Sequence, residues 1–182
     1  MTFAIDNGTV FNSSDRYQLV KPGVVDYNFE LPVIEGDEDE FLSTITFNIG
    51  VDADTNAETE MDFTERATDD PLGQQDPTMH WGWTGGYRFM NIDGVADLNG
   101  DGQFNTPLTY HLGKNSFLKS ISLSVNEKLE SGQNDMRILF DVGAFLNGLD
   151  FATENFTKVQ PDNMDVADKL LANYNNAVSF TK

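Results

Sequence analysis

Cysteine is absent from this chain of 182 residues, and basic residues are scarce. Without cysteine there are no disulfides, thiolate metal sites or cysteine nucleophiles. The 11 Lys and Arg residues stand against 30 Asp and Glu residues, which gives a net charge of −19. Such a surface repels phosphate backbones and anionic lipid headgroups and attracts cations. The composition therefore argues against nucleic-acid binding and favours metal ions.

Long apolar runs are also missing. No run approaches the ~20 residues that a membrane-spanning helix needs, and the opening MTFAIDNGTV lacks the basic start and apolar stretch of a signal peptide. Loops rich in Asn, Asp, Gly, Ser and Thr favour an exported protein whose signal is not present in this chain, in the periplasm, at the outer surface or secreted. An apolar content of 39% suffices for a core, and the length predicts a single domain over residues 1–182.

Alternating apolar and polar residues predict a series of strands. The predicted strands cover residues 2–5, 17–20, 24–33, 41–51, 87–92, 108–112, 117–125 and 136–142. The last two are expected to pair as an antiparallel hairpin across the turn at Ser131 and Gly132. The acid-rich segment 52–77 is interpreted as a long surface loop, and the acidic run 35–40 as a solvated one.

In the C-terminal part the apolar spacing changes to three and four residues. The residues with this spacing are Val166, Ala167, Leu170, Leu171 and Tyr174. They predict that the chain ends in one amphipathic helix, with Asp162 or Asn163 available as its N-cap. Many short strands and one terminal helix predict an all-β fold: an antiparallel β-sandwich with long loops and one C-terminal amphipathic helix.

An Asp-rich segment in the middle of the chain has the donor spacing of a calcium loop, with oxygen-bearing side chains at alternate positions and a glycine at the sixth. The donors are Asp97, Asn99, Asp101, Gln103 and Asn105. Position twelve is Leu108 instead of the Glu of an EF-hand, so a further ligand must come from elsewhere. Asp93 and nearby backbone carbonyls are the candidates. The alternative is an acidic, Gly-rich hairpin that binds nothing.

Both histidines and both tryptophans lie between residues 79 and 113. His80 and His111 are candidate ligands, because imidazole binds Cu, Zn, Fe and Ni. Two imidazoles underfill any of these ions, so the Met79 sulfur, a carboxylate or a modified side chain would have to supply a third donor. On spacing alone, two structural histidines are favoured, and Trp81 and Trp83 would by default be core aromatics.

Three motifs in this region resemble the central signature of MbnP-like proteins, a family related to copper-repressed surface proteins of methane-oxidising bacteria. They are MHWGWTGGYRF at 79–89, IDG at 92–94 and YHLG at 110–113. The resemblance extends over residues 15–180, and the pair of W-G-W-x-x-G-Y and Y-H-L-G is fairly specific. The family's first strands would precede Met1.

The resemblance implies an exported β-sandwich with a di-haem peroxidase-like partner that oxidises a tryptophan of the motif to kynurenine. In copper-binding relatives, two imidazoles and kynurenine hold Cu(I). On this chain the implied ligands are His80 and His111, and the implied modified residue is Trp81 or Trp83. Opening the indole yields an aryl amine and a ketone, which would supply the third donor. Those relatives carry W-x-H, whereas here His80 precedes Trp81.

The expected function is therefore that of an exported, non-enzymatic metal-binding protein. Copper would bind at the His/Trp site and Ca²⁺ in the Asp-rich loop. The alternative is a Ca²⁺-stabilised surface adhesion or structural β-sandwich module without copper. A hydrolase is disfavoured, since the chain has neither a G-x-S-x-G motif nor a cysteine nucleophile.

Overall fold

The structure is a computed structural model that describes residues 1–6, 8–13, 17–23, 40–82, 85–130, 132 and 134–181. The predicted strand 24–33, most of the acidic run 35–40 and the side chain of Trp83 lie outside the described residues. None of the described helices is long and apolar enough to span a membrane.

Strands make up 35% of the structure and helices 21%, so the all-β class predicted from the sequence is confirmed, with antiparallel sheets consistent with an all-β sandwich. The strands are β1 (Thr2–Ile5), β2 (Val10–Asn12), β3 (Phe41–Ile49), β4 (Arg88–Ala96), β5 (Thr106–Gly113), β6 (Lys119–Lys128), β7 (Arg137–Phe140), β8 (Phe156–Thr157) and β9 (Val178–Thr181). The helices are α1 (Ala53–Asn56), α2 (Glu60–Thr64), α3 (Val142–Phe145) and α4 (Met164–Ala177).

The chain divides into two compact units. The first comprises Met1–Asn48, Ser120–Phe140 and Val178–Lys182, and the second comprises Ile49–Lys119 and Asp141–Ala177. In the first unit the strand order is β2-β1-β3-β6, and β7 pairs with β9. In the second unit the order is β4-β5-β8, and the four α-helices given above lie in this unit. That residues 1–182 form a single domain stays a prediction.

The first unit corrects the pairing expected for residues 117–125 and 136–142. β6 lies beside β3, whereas β7 pairs antiparallel with β9, with Phe140 opposite Val178. Alternation identifies a strand but does not name its partner. The segment 17–20 is not a strand either, because β2 occupies the edge beside β1, with Phe11 opposite Phe3.

The second unit corrects the interpretation of residues 52–77 as a loop without secondary structure. The Asp52 side chain accepts the N–H of Thr55 at 3.2 Å and so caps α1. Thr59 and Asp62 form a capping box at the start of α2. Short helices capped in this way carry few apolar residues, so periodicity does not reveal them.

The C-terminal helix is confirmed as α4, which begins at Met164, directly after a 3-10 turn at Pro161–Asn163. Its buried residues include four of the five predicted apolar positions: Val166, Ala167, Leu170 and Tyr174. The expectation that the chain ends in this helix is wrong, because β9 follows immediately and pairs with β7.

Two contacts fix the start of β4 in the second unit. The N–H of Tyr87 donates to Oδ1 of Asn56 at 2.8 Å, and the Tyr87 hydroxyl donates to the carbonyl of Leu72 at 3.0 Å. Two residues further on, Phe89 packs so tightly against Gly50 that a Cβ there would overlap the phenyl ring. The end of the W-G-W-x-x-G-Y motif at Tyr87 and the strand β4 that follows it are therefore anchored to α1 and to the chain after β3.

Replacing Asn56 with Ala should lower the free energy of unfolding by about 1–3 kcal/mol, because the N–H of the buried Tyr87 would lose its acceptor. Urea unfolding followed by circular dichroism measures the change. Asn56→Asp is the matched control, since it keeps an oxygen in the same place and should lose less than half as much. Equal stability of Asn56→Ala and the parent chain would show that this hydrogen bond does not anchor β4.

Candidate functional site

The register of the β4–β5 hairpin decides which side chains share a face. Arg88 lies opposite Gly113 and Asn91 lies opposite His111, with a register shift between Arg88 and Met90. Directly opposite residues project from the same face, as do residues two apart along a strand. Gly113 and His111 are two apart on β5, so both pairs belong to one face. The extra residue in β4 places Arg88 and Asn91, three apart in sequence, on the same side.

We call this side the His111 face. Its members on the two strands are Arg88, Asn91, Asp93, His111 and Gly113.

The indole of Trp81 lies on the His111 face. A Cβ added to Gly113 would stand 2.6 Å from Cζ3 and 3.0 Å from Cη2 of Trp81, so the six-membered ring covers this glycine. Glycine is needed here because any side chain would displace the ring. The Y-H-L-G motif thus places the imidazole of His111 and the glycine against which the Trp81 indole packs on one face.

Met79 belongs to the same face. Its carbonyl accepts the N–H of Arg88 at 2.8 Å, and the N–H of Trp81 donates to Gly86 at 2.9 Å, so residues 79–81 run alongside 86–88 in an antiparallel ladder. Met79 is therefore opposite Arg88 and shares its side of the sheet.

The residue His111 is buried, and its imidazole is held by Asp93. Its Nε2 lies 3.0 Å from each carboxylate oxygen, while its Nδ1 is buried and has no hydrogen-bond partner among the described residues. Burial lowers the pKa of His111, with Asp93 acting to raise it and Arg88 and Lys158 acting to lower it. The ring is therefore neutral at pH 7. Because an ionised carboxylate only accepts, the single N–H belongs to Nε2, and Nδ1 presents a free lone pair.

Four buried polar atoms without a hydrogen-bond partner among the described residues lie on the His111 face. They are Nε1 of Trp81, Nε of Arg88, Oδ1 of Asn91 and Nδ1 of His111. Each such atom costs about 1–3 kcal/mol of desolvation when nothing pairs with it. Buried polar groups are normally satisfied, so their concentration on one face makes this face the candidate binding site.

His80 lies on the other side of this sheet. It forms a bridge with Tyr87, and its ring lies 4.8 Å from that of Tyr87 and 4.9 Å from that of Phe63. Its Nδ1 accepts the N–H of Gly82 at 3.0 Å, and burial lowers its pKa. Tyr87 and Arg88 are successive strand residues, so their side chains point to opposite faces. The structure therefore does not bring the imidazoles of His80 and His111 together.

The Asp-rich loop connects β4 to β5 at the far end of the hairpin. The carboxylate of Asp97 accepts the N–H groups of Gly100 and Gly102, both at 2.8 Å, and the hydrogen bond from Gly102 is the main cause that lowers the pKa of Asp97. Asp101 accepts the N–H of Gln103 at 2.7 Å. The carboxylates that would bind a cation are thus engaged by the loop's own backbone.

The other predicted members of the loop are hydrogen-bonded within it or exposed. Asn99 donates from Nδ2 to Asp101 at 3.0 Å, and Gln103 and Asn105 are exposed. Asp93, expected to lend a ligand here, is instead directed at His111. Among the described residues, no three His, Asp or Glu side chains are grouped so that they could hold a metal ion.

The family model for MbnP matches residues 1–165. This chain belongs to the MbnP family. Comparisons with curated proteins and with solved structures gave no match. Membership of the MbnP family is consistent with a metal-binding role.

Arg88, Asn91 and Lys158 were not among the site residues inferred from the MbnP signature. Arg88 lies within the motif, yet nothing in its sequence context shows that it shares a face with Asn91. The irregularity between Arg88 and Met90 produces that arrangement, and alternation alone places the two residues on opposite sides.

Gly113→Ala should displace the Trp81 indole, because the new methyl group would overlap the ring and the Tyr87 carbonyl, 2.5 Å away. The near-ultraviolet circular dichroism and the fluorescence maximum should both change. Gly94→Ala is the matched control on the same hairpin, since a Cβ there meets nothing within 4 Å. If both variants keep the parent spectra, the indole does not lie on Gly113.

Proposed function

We propose that this MbnP-family protein is a non-enzymatic metal-binding protein whose metal is copper, bound on the His111 face. The observation that carries the proposal is the state of His111. Its Nε2–H is tied to Asp93, and its Nδ1 lone pair is buried without a partner. Metal-binding imidazoles almost always donate their second nitrogen to a carboxylate or carbonyl, which fixes the tautomer and raises ligand basicity.

The surrounding donors suit copper. Nδ1 of His111 is the imidazole ligand, and Met79 brings a thioether to the same face, a soft donor that selects copper over harder cations. Oδ1 of Asn91, directly opposite His111, is a further lone pair without a partner. When bound, copper would satisfy lone pairs that the protein alone leaves unpaired.

Trp81 is the proposed site of modification. The intact indole offers only an N–H donor and cannot be a ligand through that group. Conversion to kynurenine would add an aryl amine and a ketone beside His111. A di-haem peroxidase-like partner would supply the oxidising step, and export to the periplasm, the outer surface or the medium belongs to the same proposal. These two elements rest on the family resemblance alone.

Replacing His111 with Ala should weaken copper binding by more than the roughly 10–100-fold that loss of an outer-shell partner costs. Competition with a chromophoric Cu(I) chelator measures the affinity, and elemental analysis measures the copper retained. His80→Ala is the matched control: it removes the chain's other imidazole from the opposite face and should leave the affinity within a few-fold of the parent.

Equal loss of copper in both variants would mean that the site recruits both imidazoles, against the arrangement described above. If His111→Ala retains all of its copper, the metal does not bind on the His111 face. If the parent chain contains no copper, the alternative of a structural or adhesion module is favoured. Mass spectrometry of the same samples tests the modification, because kynurenine differs from tryptophan by one oxygen gained and one carbon lost.

Calcium binding by residues 97–105 is a separate proposal, supported by the alternating donors of the sequence. Asp101→Ala should lower the melting temperature in excess Ca²⁺ but not in a chelator, because a ligand bound only to the native state stabilises it by mass action. Thermal unfolding with and without Ca²⁺ checks this. Asp135→Ala, which removes an acid outside the loop, is the control, and identical melting of parent and Asp101→Ala in excess Ca²⁺ would reject the loop as a cation site.

A further inference from the structure

The unpaired atoms of the His111 face are of two chemical kinds. Nδ1 of His111 and Oδ1 of Asn91 carry lone pairs, which a metal ion can satisfy. Nε1 of Trp81 and Nε of Arg88 are N–H groups and can only donate. A cation therefore satisfies half of the buried polar atoms and leaves the other two unpaired.

The two kinds are also separated along the hairpin. Asn91 and His111 face each other at one level of the ladder. Arg88 lies opposite Gly113 at the next level on that face, and the Trp81 ring covers Gly113. The lone pairs thus belong to the Asn91–His111 level, and the N–H donors belong to the adjacent level of Arg88, Gly113 and the Trp81 ring.

The charge around these groups is positive, although the chain as a whole carries −19. Arg88 and Lys158 both act on His111 as nearby positive charges, and Asp93 is the negative charge that opposes them. Asp93 is already engaged with Nε2 of His111. A guanidinium is always charged at physiological pH, so Arg88 keeps this level positive.

We propose that the level of Arg88, Trp81 and Gly113 binds a small monovalent anion, which accepts hydrogen bonds from Nε–H of Arg88 and Nε1–H of Trp81. The anion is small because both donor atoms are buried. It is monovalent because Asp93 offsets one of the two nearby cationic side chains. This site uses the intact indole of Trp81, before any conversion to kynurenine, and does not require a metal to be present.

The chain has two tryptophans, so metal-free protein in which both are unmodified gives two indole N–H signals in a ¹H–¹⁵N spectrum. Trp83→Phe assigns the signal of Trp81. Sodium chloride and sodium formate are the two probes, each titrated at constant ionic strength against bulky gluconate. The expected result is a saturable shift of the Trp81 indole signal and of the Arg88 Nε–H signal, with the same midpoint for both. Saturation by formate alone would identify a carboxylate as the ligand class, and saturation by both a general small anion.

Arg88→Met should raise the anion concentration at the midpoint roughly 10- to 100-fold, the range expected when a hydrogen bond to a charged group is lost. Arg88→Lys keeps the charge without the Nε–H and should fall between Arg88→Met and the parent. Arg137→Met removes an equal charge from an exposed position on β7 and should leave the midpoint unchanged.

A linear shift of the Trp81 signal that matches that of Trp83 would indicate a general salt effect and overturn the proposal. So would an unchanged midpoint in Arg88→Met. These measurements use metal-free protein, so a negative result for the anion does not bear on the copper proposal. The copper measurements on His111→Ala likewise do not test the anion site.

Discussion

The hydrogen bond between His111 and Asp93 fixes the tautomer of the one buried imidazole that the described residues of the second unit contain. It engages the single N–H of the neutral ring, which is on Nε2. The other ring nitrogen, Nδ1, therefore carries a buried lone pair. The carboxylate is half exposed, at 54%, whereas the imidazole is 6% exposed. Water can therefore reach the carboxylate of Asp93, while Nδ1 of His111 stays shielded from it.

That hydrogen bond depends in turn on strand register. Asp93 lies opposite Thr109, one level beyond the Asn91–His111 pair, and so reaches His111 diagonally. The shift between Arg88 and Met90 then adds Arg88 and Gly113 to the same side. A regular strand would turn Arg88 away from Asn91 and separate the N–H donors from the lone pairs. One extra residue in β4 thus assembles the face.

The sequence predicted much of this correctly and for physical reasons. Alternation identified β1, β3, β5 and β6, and the spacing of Val166 to Tyr174 identified α4, because side-chain burial follows backbone period in both cases. Strand pairing could not be predicted in the same way. The residues of β7 alternate well, yet nothing in the local sequence indicates that β7 pairs with β9, some forty positions later. The short helices before β4 depend on capping side chains more than on apolar periodicity, so they too escaped prediction.

The candidate site shows the same limit. The clustering of His80, Trp81 and His111 pointed to the correct stretch of chain, and Trp81 and His111 do share a face. His80 and Trp81 are neighbours in sequence and for that reason lie on opposite sides of an extended segment. The ladder between residues 79–81 and 86–88 determines which of the two side chains shares a face with His111. The sequence motif alone does not specify this pairing.

The turn that closes this ladder couples two distant positions. A Cβ at Gly86 would lie 2.5 Å from Oδ1 of Asn56, the same oxygen that accepts the N–H of Tyr87. Gly86 also adopts a φ of 69°, a conformation that favours glycine. A side chain at position 86 and the asparagine at position 56 are therefore sterically incompatible in this geometry, so we expect the two positions to covary within the family.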